Sequence, residues 1–244
     1  MLTGLSWLAL EVKSLAAARS FYEGVLELPV RSAGAERTGA NTDETHTANE
    51  VVFAAGDTDL VCRRPTGVPR GGLHTHFAFS IPAAEYDDWW TRLTEAFGYD
   101  LEEFRFGSAK SLYLYDPDGN CVELGQGDVA GPGIDGIFEV VLEVESLARA
   151  ESFYAALGFE TVDRGDDRRR VRMDGPMALE LWEPQLGIAD GRGGVHVDLG
   201  FEVDDLEDVV SAVDDRARSL ERREKRVVVR DPDGHHLTFR SVTG

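Results

Sequence analysis

The sequence predicts an α+β protein made of four βαβββ units in two tandem pairs, and three recurrences carry that expectation. The stretch from Asp116 to Leu124 opens on Asp-Pro-Asp-Gly, and the same four residues return at Asp231–Gly234. The run Ser14-Leu-Ala-Ala-Ala-Arg-Ser-Phe21-Tyr22 is echoed by Ser146-Leu-Ala-Arg-Ala-Glu-Ser-Phe153-Tyr154. Gly71-Gly72 leads into a strand at His74–Ile81, and Gly193-Gly194 leads into its counterpart at Val195–Val203. Self-similarity in a fixed order is the mark of duplication.

Taken in order, Leu8, Leu10 and Val12 alternate with Trp7, Ala9 and Glu11, the pattern of a half-buried strand. Ser14 can cap the helix that follows, in which Leu15, Ala18, Phe21, Tyr22, Val25 and Leu26 keep helical spacing. A short strand at 30–33, a polar loop at 34–48 and strands at 51–55 and 60–64 complete the first unit. The second begins with His74–Ile81, which puts Phe77, Phe79 and Ile81 on one face. A helix at Ala83–Phe97 and strands at 101–106, 110–115 and 121–126 follow. The last two strands are joined by the Asp-Pro-Asp-Gly turn, where Pro fixes φ and Gly supplies the positive φ of a tight reversal.

Residues 127–136, with Gly131-Pro132-Gly133, read as a linker. The pattern then restarts with a strand at 138–144, a helix and strands near 159–163, 168–173 and 177–183. It ends with the Val195–Val203 strand, a helix at 206–216 and strands at 227–230 and 236–240. The expected domains are 1–128, with units near 1–66 and 72–128, and 134–244, with units near 134–185 and 193–244. The second copy is shorter by 17 residues, of which about ten are lost before the counterpart of the His76 strand, chiefly opposite the 34–48 loop.

Composition excludes several classes. The chain of 244 residues is 42% hydrophobic, enough for a sizeable core, yet no run approaches the roughly 20 apolar residues of a membrane span. No basic-then-apolar leader opens it. Two cysteines, Cys62 and Cys121, do not make a disulfide framework, so a reduced cytoplasmic setting is expected. The net charge is −20, and only Lys13, Lys110 and Lys225 of the 25 basic residues are lysines. Such a surface argues against nucleic acid and anionic membranes. It is similar to the acidic surfaces of halophilic proteins that work in concentrated salt.

The four units, with Leu8…Phe21-Tyr22, His76-Phe-Ala-Phe and Asp116-Pro-Asp-Gly-Asn…Glu123, resemble the vicinal oxygen chelate superfamily. This family takes in glyoxalase I, bleomycin-resistance proteins and extradiol ring-cleaving dioxygenases. The resemblance implies that two units curl into a sheet around a divalent metal acting as a Lewis acid. It places metal ligands at His76 and Glu123, and an active-site tyrosine at Tyr113. Trp7 stands where the family's first-strand ligand belongs, and the glyoxalase-type fourth ligand falls near Val61. His74, on the same strand face as His76, would restore a 2-His-1-carboxylate count, and His46 in the long loop is a further donor. Trp7, Tyr115 and Glu11 share the inward parity and would line a substrate pocket.

In the second half Glu139 takes the first-strand position, Glu180 the next and Asp198 that of His76, while Thr238 replaces the glutamate. Glu139, Glu180 and Asp198 form a secondary candidate site that suits a hard cation. Arg226, Arg230 and Arg240 share their parity and offer the simpler role of pairing with them. His76 and Glu123 bonded to each other, and His74 as a structural residue repeated at His196, are the corresponding plain readings.

The resemblance thus implies a metal-dependent enzyme similar to extradiol dioxygenases, with Fe(II) or Mn(II) chelating a small vicinal-dioxygen substrate that Tyr113 orients. Two alternatives stay open: a metal-free protein that sequesters a small molecule, as bleomycin-resistance proteins do, and a glyoxalase-type lyase or isomerase. The partner is a small molecule in each case, and the halves pair either within one chain or across a homodimer. Dense like charge destabilises a fold when screening is weak. The melting temperature is therefore expected to rise between dilute buffer and molar KCl, and a flat thermal-melt series would remove the halophilic reading.

Overall fold

The computed structural model describes residues 2–31, 49–65, 72–165, 169–184 and 197–241. In chain order the elements are β1 (Leu2–Glu11), α1 (Leu15–Arg19, continued by a π-helical turn over Ser20–Val25), β2 (Glu50–Ala55), β3 (Thr58–Arg63) and β4 (Leu73–Pro82). A 3₁₀ turn at Ala83–Glu85 leads into α2 (Tyr86–Thr91), which ends in a π-helical turn at Arg92–Ala96. Then come β5 (Glu102–Phe106), β6 (Ala109–Tyr115), β7 (Cys121–Gly127), β8 (Gly136–Glu143), α3 (Leu147–Ala156), β9 (Glu160–Arg164), β10 (Arg170–Asp174) and β11 (Ala178–Trp182). The chain closes with β12 (Val197–Val203), α4 (Leu206–Val213), β13 (Ser219–Arg223), β14 (Arg226–Arg230) and β15 (His236–Ser241).

The strands form two sheets that do not follow chain order. One runs β13-β14-β15-β12-β1-β3-β2 and the other β5-β6-β7-β4-β8-β11-β10-β9. The first unit therefore shares its sheet with the fourth, and the second with the third. Tertiary contacts also divide the chain into two compact units. One is Met1–Glu11, Pro65–Thr75 and Val140–Gly244; the other is Val12–Arg64 and His76–Glu139. No helix among the described residues is long and apolar enough to cross a membrane.

Each sheet buries the parity that the alternation marks as apolar. Leu8 and Leu10 of β1, Phe77, Phe79 and Ile81 of β4, and Leu237 and Phe239 of β15 have no exposed surface. Each such side chain contributes about 1.5–3 kcal/mol relative to an exposed one. α1 packs on β2 and β3, α3 on β9, β10 and β11, and α4 on β14 and β15. The Ser14 hydroxyl accepts from Ala17 N at 3.3 Å, the expected N-cap.

Two differences from the sequence reading have clear causes. Of the strand expected at 30–33, Val30 forms an isolated bridge to Phe53, while residues 32 and 33 and the 34–48 loop with His46 lie outside the described residues. β13 was not foreseen because Ser219-Leu-Glu-Arg-Arg carries no apolar alternation. It is an edge strand, exposed at four of its five positions, so no core face marks it.

The repeated motifs meet in space. The Tyr22 hydroxyl donates to Asp116 Oδ2 at 2.8 Å, and that of Tyr154 to Asp231 Oδ2 at 2.9 Å. Asp116 Oδ1 also accepts from the backbone of Asp118 and Asn120 at 2.9 and 2.8 Å. Asp231 Oδ1 does the same for Asp233, Gly234 and His235. Gly119 and Gly234 sit at φ 87° and 103°, the left-handed conformation that the turn requires. Tyr22→Phe and Tyr154→Phe leave a buried carboxylate oxygen short of a donor, and each is expected to cost about 1–3 kcal/mol in denaturant titrations at high salt. A loss within error of zero in both would show that the turns hold themselves.

Candidate metal centre

The compact unit formed by Val12–Arg64 and His76–Glu139 contains a buried knot of three ionisable side chains. His76 comes from β4, Glu123 from β7 and Glu139 from β8, which are consecutive strands in sheet order. Parity turns all three away from the apolar core. Phe77 and Phe79 face the core on either side of Ala78, and Val122 and Leu124 flank Glu123 in the same way. The parallel pairing of β4 and β7 sets His76 beside Cys121 and Ala78 beside Glu123. The Asp116 turn fixes the start of β7, and so the register of Glu123.

His76 Nε2 lies 3.3 Å from Glu123 Oε2 and 3.3 Å from Glu139 Oε1. His76 Nε2 is aligned for a hydrogen bond with Glu139 Oε1, while its approach to Glu123 Oε2 is close but less well aligned. Potential ligand atoms of the three residues lie within 4.8 Å of one another. Within the trio itself one imidazolium faces two carboxylates, so the three groups together carry net negative charge, and further positive charge beside them is favourable. A divalent cation among the same three atoms would cancel that charge. A nitrogen and two carboxylate oxygens are donors that such a cation accepts.

Burial is the largest influence on His76 and pushes its pKa down. The hydrogen bonds and charges of Glu123 and Glu139 outweigh it, and the pKa rises to about 9. Burial alone would raise Glu123, but His76, Ser111 and Tyr113 hold it below the usual carboxylate range. Tyr113 is paired with Glu123 across β6 and β7, and its ring meets that of His76 edge-on at 5.5 Å. Burial, followed by the charge and hydrogen bond of Glu123, pushes its phenol well above the ordinary value. That direction favours the protonated phenol, a hydrogen-bond donor. Phe104 of the edge strand β5 packs edge-on against Tyr113 at 5.3 Å, and is 51% exposed. Phe138 lies where a side chain at Gly125 would stand, 2.9 Å from the would-be Cβ.

The family model described as Glyoxalase/Bleomycin resistance protein/Dioxygenase superfamily matches residues 4–124, and one described as Glyoxalase-like domain matches 139–239. Metallothiol transferase FosB from Shouchella clausii (strain KSM-K16) is 30% identical over 138 residues, covering 53% of this chain and 84% of the relative. The chain belongs to the vicinal oxygen chelate superfamily.

Among solved structures, a glyoxalase I variant from Zea mays aligns with TM-score 0.70 at 18% identity, over 98% of this chain and 93% of that one. The cppA protein from Streptococcus pneumoniae TIGR4 aligns with TM-score 0.58 at 10% identity, over 99% and 98%. These likenesses show the fold, two tandem glyoxalase-like βαβββ domains.

The structure gathers the sequence candidates differently from the reading that placed one site in the first half. His76 and Glu123 are together, but their third partner is Glu139, previously assigned to a secondary site. The cause is strand pairing, which sets β8 beside β4. Glu139, Glu180 and Asp198 do not form a site of their own. Glu180, on β11, binds Arg170 and Arg172 through Oε1 at 3.3 and 3.0 Å, and accepts from Trp182 Nε1 through Oε2 at 2.7 Å. Asp198 accepts from the Thr238 hydroxyl at 3.3 Å in the seven-stranded sheet.

Trp7 and Glu11 stand on β1 of that same seven-stranded sheet, not on the strands that carry His76 and Glu123. Trp7 lies against Gly200, where any Cβ would come within 2.1 Å of the indole. Tyr115 is 62% exposed at the end of β6. His74 lies on β4, but its side chain falls outside those described. Ser111, of the inward parity in the sequence, is the further polar group beside Glu123.

The raised pKa of His76 fixes the sign of a pH effect. Its contribution to stability is complete below the unfolded value near 6.5 and is lost as pH rises through about 9. Chelator-treated protein is expected to lose up to about 3 kcal/mol across that window relative to His76→Gln. Parallel pH profiles for the two proteins in urea titrations would contradict the assignment.

Proposed function

We propose that this protein is a divalent-metal-dependent enzyme of the glyoxalase type, with His76, Glu123 and Glu139 holding the metal. The observation that carries this reading is His76 Nε2 set 3.3 Å from two buried carboxylates. The bound metal would act as a Lewis acid on adjacent oxygens of a small substrate. Tyr113, protonated and beside Glu123, would donate a hydrogen bond to a substrate oxygen. Ser111 holds Glu123 in place. The exposed faces of Phe104 and Phe106 would receive an apolar part of the substrate.

The donor set favours one of the enzyme classes weighed from the sequence. Ring-cleaving Fe(II) oxygenases draw on two histidines and one carboxylate, whereas among the described residues this site offers one histidine and two carboxylates. Carboxylate-rich coordination favours a harder, redox-silent role, with Mn(II) or Mg(II) ahead of Fe(II). Lyase, isomerase or group-transfer chemistry on a vicinal-dioxygen substrate therefore fits better than oxygen activation. The loss of a ligand at Trp7 no longer counts against this reading, because Glu139 stands in the corresponding place on the sheet that carries His76.

Metal analysis after purification in concentrated KCl tests the proposal. About one equivalent of divalent metal per chain is expected in the wild type, lost in His76→Ala and weakened by one to two orders of magnitude in Glu139→Gln. Metal-free wild-type protein that refuses added Mn(II), Mg(II) and Zn(II), yet is stabilised by organic ligands, would favour the sequestering alternative.

A further inference from the structure

The seven-stranded sheet carries a second chemistry-bearing face, and it lies in the compact unit of Met1–Glu11, Pro65–Thr75 and Val140–Gly244. Strand register lays it out in rows. Arg226 of β14 pairs with Arg240 of β15, which pairs with Glu202 of β12. Val228, Thr238, Gly200 and Trp7 form the next row. Arg230, His236, Asp198 and Ala9 form the third. Val227, Val229, Leu237 and Phe239 alternate with these residues and are buried, so the rows occupy the face opposite the α4 packing.

Two arginines directly opposite each other in a sheet repel, and such pairs destabilise. Burial, and then Arg223, hold the Arg226 guanidinium below its ordinary pKa. Arg240 is lowered by burial and by Arg226, against the opposing charge of Glu202. Among the described residues the Arg240 side chain has a cation–π contact with Trp7, 5.7 Å from guanidinium carbon to ring centroid. It makes no hydrogen bond or ion pair within contact distance there. Arg230 Nε is buried with no hydrogen-bond partner. The counterpart of the metal knot has vanished from this face, since Asp198, Thr238 and Trp7 replace the histidine and the two glutamates. In a chain of net charge −20, three arginines share one face, and among the described residues neither Arg230 nor Arg240 has a carboxylate within ion-pair distance, which suits the face to negative charge from outside.

We propose that this face binds a small ligand bearing an oxyanion, a carboxylate or a phosphate group, held by Arg240 with Arg226 and Arg230, its flat apolar portion against Trp7. The site is separate from the metal centre and does not depend on the function proposed for it. The bound oxyanion would relieve the Arg226–Arg240 repulsion, so binding would stabilise the fold. Gly200 lets the indole lie against the sheet, where any larger residue would displace it.

Titration with inorganic phosphate and with benzoate, each at constant ionic strength and in the presence of a chelator, tests the proposal. Tryptophan fluorescence and thermal melting serve as readouts. At least one probe is expected to saturate and to raise the melting temperature. Phosphate alone would indicate phosphoryl-bearing ligands, and benzoate alone a flat carboxylate. Arg240→Gln is expected to weaken binding about 10- to 100-fold, the loss of a charge-assisted hydrogen bond. Its effect on the unliganded fold is expected to be small, because the attraction of Glu202 and the repulsion of Arg226 are lost together. Should Arg240→Gln fail to fold, Arg230→Gln gives the same reading. His76→Gln should bind as the wild type does. Absence of saturation with both probes, unchanged binding in the arginine variants, or loss of binding in His76→Gln would each overturn the proposal.

Discussion

The buried tyrosine–aspartate hydrogen bond anchors this architecture. Each Asp-Pro-Asp-Gly turn is an Asx-type reversal whose first aspartate is saturated from within by backbone amides. Its remaining oxygen is claimed by a tyrosine from a helical segment 94 or 77 residues earlier. Burial raises the Asp116 carboxyl, against the hydrogen bonds of Asn120, Tyr22 and the turn backbone. Without those donors the charge would be intolerable in the core. The bond therefore does two things at once: it closes a long loop and sets where the returning strand begins. Glu123 is seven residues beyond Asp116, so its place depends on that anchor.

At the metal centre the governing quantity is charge. Three buried groups, two of them acidic, cannot reach neutrality with one proton on one imidazole. The elevated His76 pKa is the structure's partial answer. A cation is the fuller one, and it would displace that proton. Tyr113 and Ser111 add donors around Glu123 without adding charge. The same arithmetic explains why Glu180 stands apart. Two arginines and an indole N–H already satisfy it.

The two sheets show how one scaffold diverges. Equivalent rows carry His76, Glu123 and Glu139 on one and Asp198, Thr238 and Trp7 on the other. In the second case the acid is tied to a hydroxyl, the ligand position is filled by an indole lying on a glycine, and arginines occupy the flanking positions. Core residues keep their pattern in both, because the helix-facing parity answers to packing alone. The opposite parity is free to change chemistry.

The sequence by itself determined the units, the duplication and the residue types of the site. Those are written in local periodicity, in turns whose glycines need positive φ, and in motifs that recur. It placed His76, Glu123 and Tyr113 on the inward face by simple alternation, and it supplied Glu139 as an acidic first-strand residue. It did not reveal β13, whose Ser219–Arg223 run is exposed and lacks an apolar face. Only the tertiary structure decided which unit pairs with which. Strand pairing is a long-range backbone choice that alternation does not encode, since every unit offers the same two faces. That choice moved Glu139 to the side of His76 and sent Trp7 to the other sheet. It gathered three residues that could hold a metal ion, and left the arginines of β14 and β15 on a face of their own.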